Sequence, residues 1–403
     1  MAKEQARAAR LVALALPTAA TVSLRLSQFL VLVVLGQIPS SPVRNVLVAA
    51  VGTLSAFTIV TESGAANYIL SRRQGHLGRG DYRTALAFQA LLGLLGAAAA
   101  VTLSLTRSGG IVPVHYWLVL VAVAVSQVLD SLLRAARAPL LLGSRDAAYA
   151  LPEFLLAVGK ISTIGVAFAT AQLGTLFALP VISLVIASWT IRSVRRDLLP
   201  ERARVGHVAR EIIPFGLTGS VSSMYSQLPV IVSAAVLPVS VTAMLTVACR
   251  VIQPLEILPG TASLQLLPRV RRLKRRLSQW WLAFLLTGAL LATGALIAAP
   301  YIEKLFGLSS WNSLVYLLVA IALVPKAGNY FLAAGAMGYG GIRWRLLATC
   351  TVAGFSIASC LLLVGRFGAE GLATTMVVSE ILLAVGLGIV LIKLKRNSEG
   401  TDS

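Results

Sequence analysis

Arg25 and Arg250 each fall inside a long apolar stretch, residues 11–35 and 240–267, and neither has an acid three or four positions away. A guanidinium at the centre of such a segment costs about 2.5–3.5 kcal/mol to insert, so residues of this kind usually face a polar interior. The steps of three and four that put residues on one helix face support that placement. Thr18, Thr21, Arg25 and Gln28 share one face, as do Thr246, Arg250 and Gln253. Ser55, Thr58 and Glu62 form a third stripe, and Thr218, Ser222 and Tyr225 a fourth. Two stripes come from each half of the chain, the pattern of a cavity lined from both sides. Guanidinium groups grip phosphate oxygens in bidentate fashion, so the chemistry open to such a cavity is the binding of a phosphorylated group.

Other charges lie within apolar stretches. Glu153 and Lys160 are seven apart on one face and Asp130 precedes Arg134 by four, spacings that suit charge compensation along a single helix. Glu256 and Glu380 lie close enough to the ends of their stretches to reach water. Lys326, beside Asn329 and Tyr330, could either line the cavity or snorkel to an interface.

The elements that must position these residues are membrane helices. The chain has 403 residues, 57% of them hydrophobic and 12% charged, with a mean hydropathy of +0.84. Soluble domains carry about twice that charged share. Windows long enough to cross a bilayer fall at 11–35, 46–70, 85–106, 116–138, 147–169 and 174–191, then at 211–236, 240–267, 281–302, 313–335, 345–364 and 371–392. The expected fold is therefore an all-α polytopic membrane protein of about twelve transmembrane helices. It divides into an N-lobe, residues 1–200, and a C-lobe, residues 201–403, with six helices each around a central cavity. The basic segment from Arg192 to Arg210, with six arginines, is the seam between them.

The net charge of +20 would suggest nucleic acid in a soluble protein, but its distribution gives it another meaning. Twenty-seven Lys and Arg residues fall in the termini and even-numbered connections, against four on the other face. Among the twenty-seven are Arg72, Arg73, Arg134, Arg137, Arg345 and the cluster from Arg269 to Arg276. Strict alternation of this kind places both termini in the cytoplasm. The run from Pro268 to Trp281 reads either as a lipid-binding helix or, favoured on the same grounds, as a topological loop. Tyr116, Trp117, Trp280, Trp281 and Trp311 stand at span ends as interfacial anchors.

No catalytic residues, metal ligands or cofactor are expected. The chain lacks a Walker glycine loop, HExxH, GxSxG and CxxC, so ATP hydrolysis within it drives nothing. Cys249, Cys350 and Cys360 have no paired spacing and are expected to be packing residues.

The two halves share a pattern. Leu16 to Gln28 and Ile213 to Gln227 each open near a proline, pass through small and hydroxyl residues and reach a Ser-Gln pair. ESGAANYILSRRQ from Glu62 and PGTASLQLLPRVRR from Pro259 end comparably in a basic loop. With these stretches, and with RFGAEGLATTMVVSE from Arg366 to Glu380, the chain resembles the polysaccharide flippases of the multidrug/oligosaccharidyl-lipid/polysaccharide exporter superfamily over essentially its whole length.

That resemblance implies two six-helix lobes whose cavity opens to alternate sides, and a substrate that is an undecaprenyl-pyrophosphate oligosaccharide carried from the inner to the outer leaflet. On it, Arg25 and Arg250 occupy places where that branch often keeps arginines; read with the polar stripes, they are expected to form a cationic substrate-binding cavity with Lys326, Gln28, Gln253 and Tyr225, and Glu62 is a candidate coupling carboxylate. The implied setting is a bacterial cytoplasmic membrane. The implied partners are the lipid-linked oligosaccharide, membrane lipids and the glycosyltransferases and polymerase of the same pathway, with a monomeric protein and no nucleic acid. Two alternatives stay open: a multidrug or metabolite antiporter of the same superfamily, and a membrane-embedded glycan polymerase or glycosyltransferase, against which the short extracytoplasmic loops argue.

Overall fold

The computed structural model describes residues 2–62, 64–71, 77–142, 145–200, 205–267, 270, 276–308 and 310–401, with side chains from residue 19 to 396 apart from 146, 218, 219, 222, 264 and 265. The side chains of Thr18, Thr218 and Ser222 lie outside the described residues, as do Arg72, Arg73 and most of the run from Pro268.

The described residues are helical almost throughout. In order they form α1 (Ala2–Gly36), α2 (Ser41–Val60), α3 (Ala65–Ser71), α4 (Arg79–Arg107), α5 (Val114–Leu142) and α6 (Asp146–Thr170). A short 3₁₀ turn (Leu173–Phe177) leads into α7 (Ala178–Arg196), followed by α8 (Val205–Val236), α9 (Val239–Leu266), α10 (Leu277–Phe306), α11 (Ser313–Gly338) and α12 (Ile342–Thr401). Ten stretches among them are long and apolar enough to cross a bilayer. One of these, Ile342–Arg396, holds two spans, and α8 adds the shorter apolar segment Ser223–Val236. The all-α polytopic fold with about twelve spans is the one expected from hydropathy.

Three details differ from the simple pattern of spans. The second span is broken between α2 and α3, and Glu62 sits in the break rather than on a continuous helix. Gly64 in the same break has φ of +73°, and a Cβ there would collide with the backbone of Phe215 and Gly216 on α8. Only glycine meets both conditions without strain. Gly64→Ala is therefore expected to lower stability by about 1–3 kcal/mol, read as a lower melting temperature in detergent; an unchanged melt would show that the break relaxes freely.

The fourth span runs further than the charge pattern suggested. α5 continues through Pro139 to Leu142, so Arg134 and Arg137, counted above as loop cations, lie on the helix, and Arg137 is only 3% exposed. The Tyr82 hydroxyl donates to the Ala136 carbonyl at 2.9 Å, in the turn before Pro139. At the far end of the chain, α12 is two arms meeting at Gly368, whose φ of 54° and ψ of −130° interrupt the helix inside the RFGAEG motif.

The chain forms two compact units, Met1–Ser220 and Val221–Ser403. The division falls inside α8. In the first unit α1 packs along α6, and α5 is flanked by α4 and α7. Its core includes Tyr68, Tyr82, Leu86, Ala135, Val194 and Ile212. In the second, α11 is embraced by α9, α10 and α12, with the rings of Phe284 and Phe331 5.5 Å apart in its core. Cys249 and Cys360 are buried as packing residues, whereas Cys350 is exposed, because its face of α12 looks outward.

Candidate functional site

Among the described residues of the first unit, ion pairs cross between elements. Lys160 on α6 binds Asp130 on α5 and also donates to Ser126 at 2.7 Å, while Ser183 on α7 donates to the other Asp130 oxygen at 3.0 Å. Arg137 on α5 pairs with Glu153 on α6, which also accepts from Thr21 of α1 at 3.1 Å. The Arg137 guanidinium stacks 4.1 Å over the Tyr149 ring. Arg134 reaches Glu62 at 3.3 Å.

These pairings correct the ones inferred from spacing. Asp130 does not compensate Arg134, and Glu153 does not compensate Lys160. The members of each expected pair sit on one helix, but Asp130, Lys160 and Glu153 find their partners across the α5–α6 gap, and Arg134 finds its own in the break between α2 and α3. Such pairing matters because an ion left alone in an apolar interior is far costlier than one with a hydrogen-bonded partner. Glu62, the candidate coupling carboxylate, is thus held by a cation and is half-exposed.

Arg25 donates to Gln28 Oε1 at 3.2 Å, one turn along α1. In the second unit Arg250, 4% exposed, donates to Gln253 Oε1 in the same three-residue relation along α9. The stripes read from the sequence therefore bring Arg25 to Gln28 and Arg250 to Gln253. Thr246, on the Arg250 stripe, is fully buried and its hydroxyl has no hydrogen-bond partner among the described residues.

Lys326 and Tyr225 come together. They line a cavity of about 240 Å³ within the second unit, with Glu256, Asn329, Tyr330 and Arg345. Lys326 Nζ lies 2.8 Å from Glu256 Oε1, so it does not snorkel to an interface. Asn329 donates to the Glu380 carboxylate at 2.8 Å, and Glu380 is 3% exposed. Glu380 is consequently buried and Glu256 half-buried on the cavity, rather than lying open at the span ends as their position in sequence suggested. Each is turned inward by a partner on α11. Arg345, counted above as a loop cation, opens onto the cavity from the first turn of α12, with a contact of 2.7 Å to Met337 Sδ.

Prolines beside ions were the missed signal. Pro325 precedes Lys326, and Pro254 and Pro259 bracket Glu256. A proline inside a helix removes a backbone donor and leaves a carbonyl unsatisfied, and interrupted membrane helices gather at binding sites. The cavity offers an ammonium, a guanidinium, two phenols, an amide and a carboxylate, a set suited to hydroxyls and to anionic oxygens. No group of three or more His, Cys, Asp and Glu suitable for a metal ion occurs among the described residues.

No protein-family model matches the chain, and no curated protein matches it either. Solved structures do. A eukaryotic MATE transporter superposes with a TM-score of 0.68 at 15% identity, covering 96% of this chain and 98% of the other. The lipid II flippase MurJ, in an inward closed conformation, gives a TM-score of 0.68 at 13% identity over 95% of this chain and 90% of its own. The chain shares the fold of these two proteins. The MATE multidrug transporter DinF-BH shares it with a TM-score of 0.65 at 13% identity, over 95% of this chain and 94% of the other. At these identities the likeness concerns the fold alone, and the choice of cargo rests on the residues of this chain.

Proposed function

We propose that this protein is a transporter that moves a lipid-linked oligosaccharide, joined to its lipid through a pyrophosphate, from the inner to the outer leaflet of a bacterial cytoplasmic membrane. Both termini lie in the cytoplasm, and the N- and C-lobes alternate in access. The observation that carries this reading is the cavity of the second unit, where Lys326 and Arg345 stand among Tyr225, Tyr330 and Asn329. Cations and hydrogen-bonding aromatics in one polar pocket suit phosphate and sugar together. The MOP fold, which MurJ shares, supports flipping as the mode of transport. Arg250 of the second unit and, separately, Arg25 of the first are further candidate cations for the cargo, and Glu62, paired with Arg134, is the coupling candidate of the first unit. An inside-negative potential favours export of the anionic headgroup by about 2.3 kcal/mol per charge per 100 mV.

One observation favours a second reading, a cation-coupled drug or metabolite antiporter. The Glu380 carboxylate is held by the neutral amide of Asn329, and such a carboxylate can take a proton or a cation.

Purified protein in liposomes, given a fluorescent pyrophosphate-linked oligosaccharide on one leaflet, separates the two. Transfer to the other leaflet that depends on the protein is expected. Absence of transfer, with drug uptake driven by a cation gradient instead, would replace flipping by antiport.

A further inference from the structure

A second cavity, of about 470 Å³, lies on the outside of the second unit, where α10, α11 and α12 meet. Its walls are apolar: Phe331 and Leu332 from α11, and Ala384, Val385, Ile389, Leu391 and Ile392 from α12. Its polar lining comes from Ser278 and Trp281 on α10 and from Lys395, which closes one end. We propose that this groove is a binding site for one anionic glycerophospholipid of the leaflet at that end, with an acyl chain along α12 and the phosphate at Lys395.

Three observations lead there. The first is length. From Ala384 to Lys395 the groove follows α12 for roughly 16 Å at the helical rise, and half the hydrocarbon core of a bilayer is about 15 Å. The groove is one leaflet deep, the reach of a single lipid tail. The second is charge. Arg276 immediately precedes α10, and Lys393 and Arg396 flank Lys395, with Lys393 lying 4.9 Å over the Trp344 ring. Clusters of basic residues just outside a membrane helix attract anionic lipid.

The third is that the hollow is built into the packing. Gly388 lines it, and a Cβ at Gly388 would meet no atom within 4 Å, so the helix carries a vacancy where a side chain would fit. On the α10 side, the Trp281 ring is seated because Gly328 on α11 has no side chain; a Cβ there would come within 2.9 Å of the indole nitrogen. That nitrogen is buried and has no hydrogen-bond partner among the described residues. Packing thus fixes the ring as one wall of the groove.

Native mass spectrometry of protein released from nanodiscs of equal phosphatidylglycerol and phosphatidylcholine tests the site. Wild-type protein is expected to retain phosphatidylglycerol over phosphatidylcholine. Gly388→Leu, which fills the hollow without displacing protein, is expected to lose the retained lipid of either kind. Lys395→Gln is expected to keep a lipid but lower the preference for phosphatidylglycerol roughly fivefold. Val385→Trp, on an exposed wall position, provides the same occlusion if Gly388→Leu does not fold. Undiminished retention in the filled variants, or a preference untouched by Lys395→Gln, would overturn the proposal.

Discussion

Asp130→Asn is expected to destabilise the first unit by about 3–5 kcal/mol, the range found when one partner of a buried ion pair is removed. Asp130 is 2% exposed and Lys160 5% exposed. One carboxylate oxygen takes the Lys160 ammonium and the other takes the Ser183 hydroxyl, which itself lies 3.1 Å from Ser126. An amide in place of the carboxylate leaves the buried ammonium with only neutral acceptors, the Ser126 hydroxyl and the amide oxygen, and no counter-charge. The charge is therefore the larger part of the damage, and removing it should repair most of it. The double variant Asp130→Asn, Lys160→Met is expected to melt well above Asp130→Asn, with a coupling energy visible in a double-mutant cycle. Thermal unfolding in detergent measures both. A single variant that melts within a degree or two of wild type, or a double variant as damaged as the two singles together, would mean that the pair does not hold α5, α6 and α7 together. Transport retained by the double variant would assign the pair to structure alone.

The number, order and approximate limits of the spans were legible because they depend on local composition: a bilayer demands about 20 apolar residues whatever surrounds them. The partners of the charges were not. Asp130 and Arg134 share a helix face at a spacing that stabilises isolated helices, yet Arg134 bonds Glu62 and Asp130 bonds Lys160. Which helix lies opposite which is a tertiary fact, and a single sequence without its contacts does not state it. The same limit explains Glu256 and Glu380. Distance from a span end measures depth along a helix, but both carboxylates are oriented by residues of α11, Lys326 and Asn329. The break at Glu62 was half-legible, since Ser63 and Gly64 follow directly, but only the close approach of Gly216 makes a glycine necessary there. Arg345 shows the opposite error. Counting it as a topological charge was sound for a residue at the first turn of a helix, and the same position lets its side chain reach the cavity.

Arg250→Ala is expected to lower export of surface polysaccharide roughly ten- to hundredfold at normal protein level. Loss of one hydrogen bond to a charged group accounts for about 1.5–3 kcal/mol, which has that effect if the bond strengthens as the substrate crosses. Arg250 is buried on α9 and donates to the neutral amide oxygen of Gln253. A guanidinium carries its donors in one plane that matches phosphate oxygens in pairs, which an ammonium cannot do. Arg250→Lys is accordingly expected to recover part of the export and not all. Gln253→Leu separates binding from scaffolding. If Arg250 serves only to hold the turn of α9, removal of its amide partner should reproduce the Ala phenotype together with a lower protein level. If it holds pyrophosphate, Gln253→Leu should be milder and the level unchanged. Arg25→Ala, made in the first unit where Arg25 has the same relation to Gln28, is expected to behave as Arg250→Ala does. Normal export from both alanine variants, at normal protein level, would remove these arginines from the transport path and leave Lys326 and Arg345 as the cations that meet the cargo.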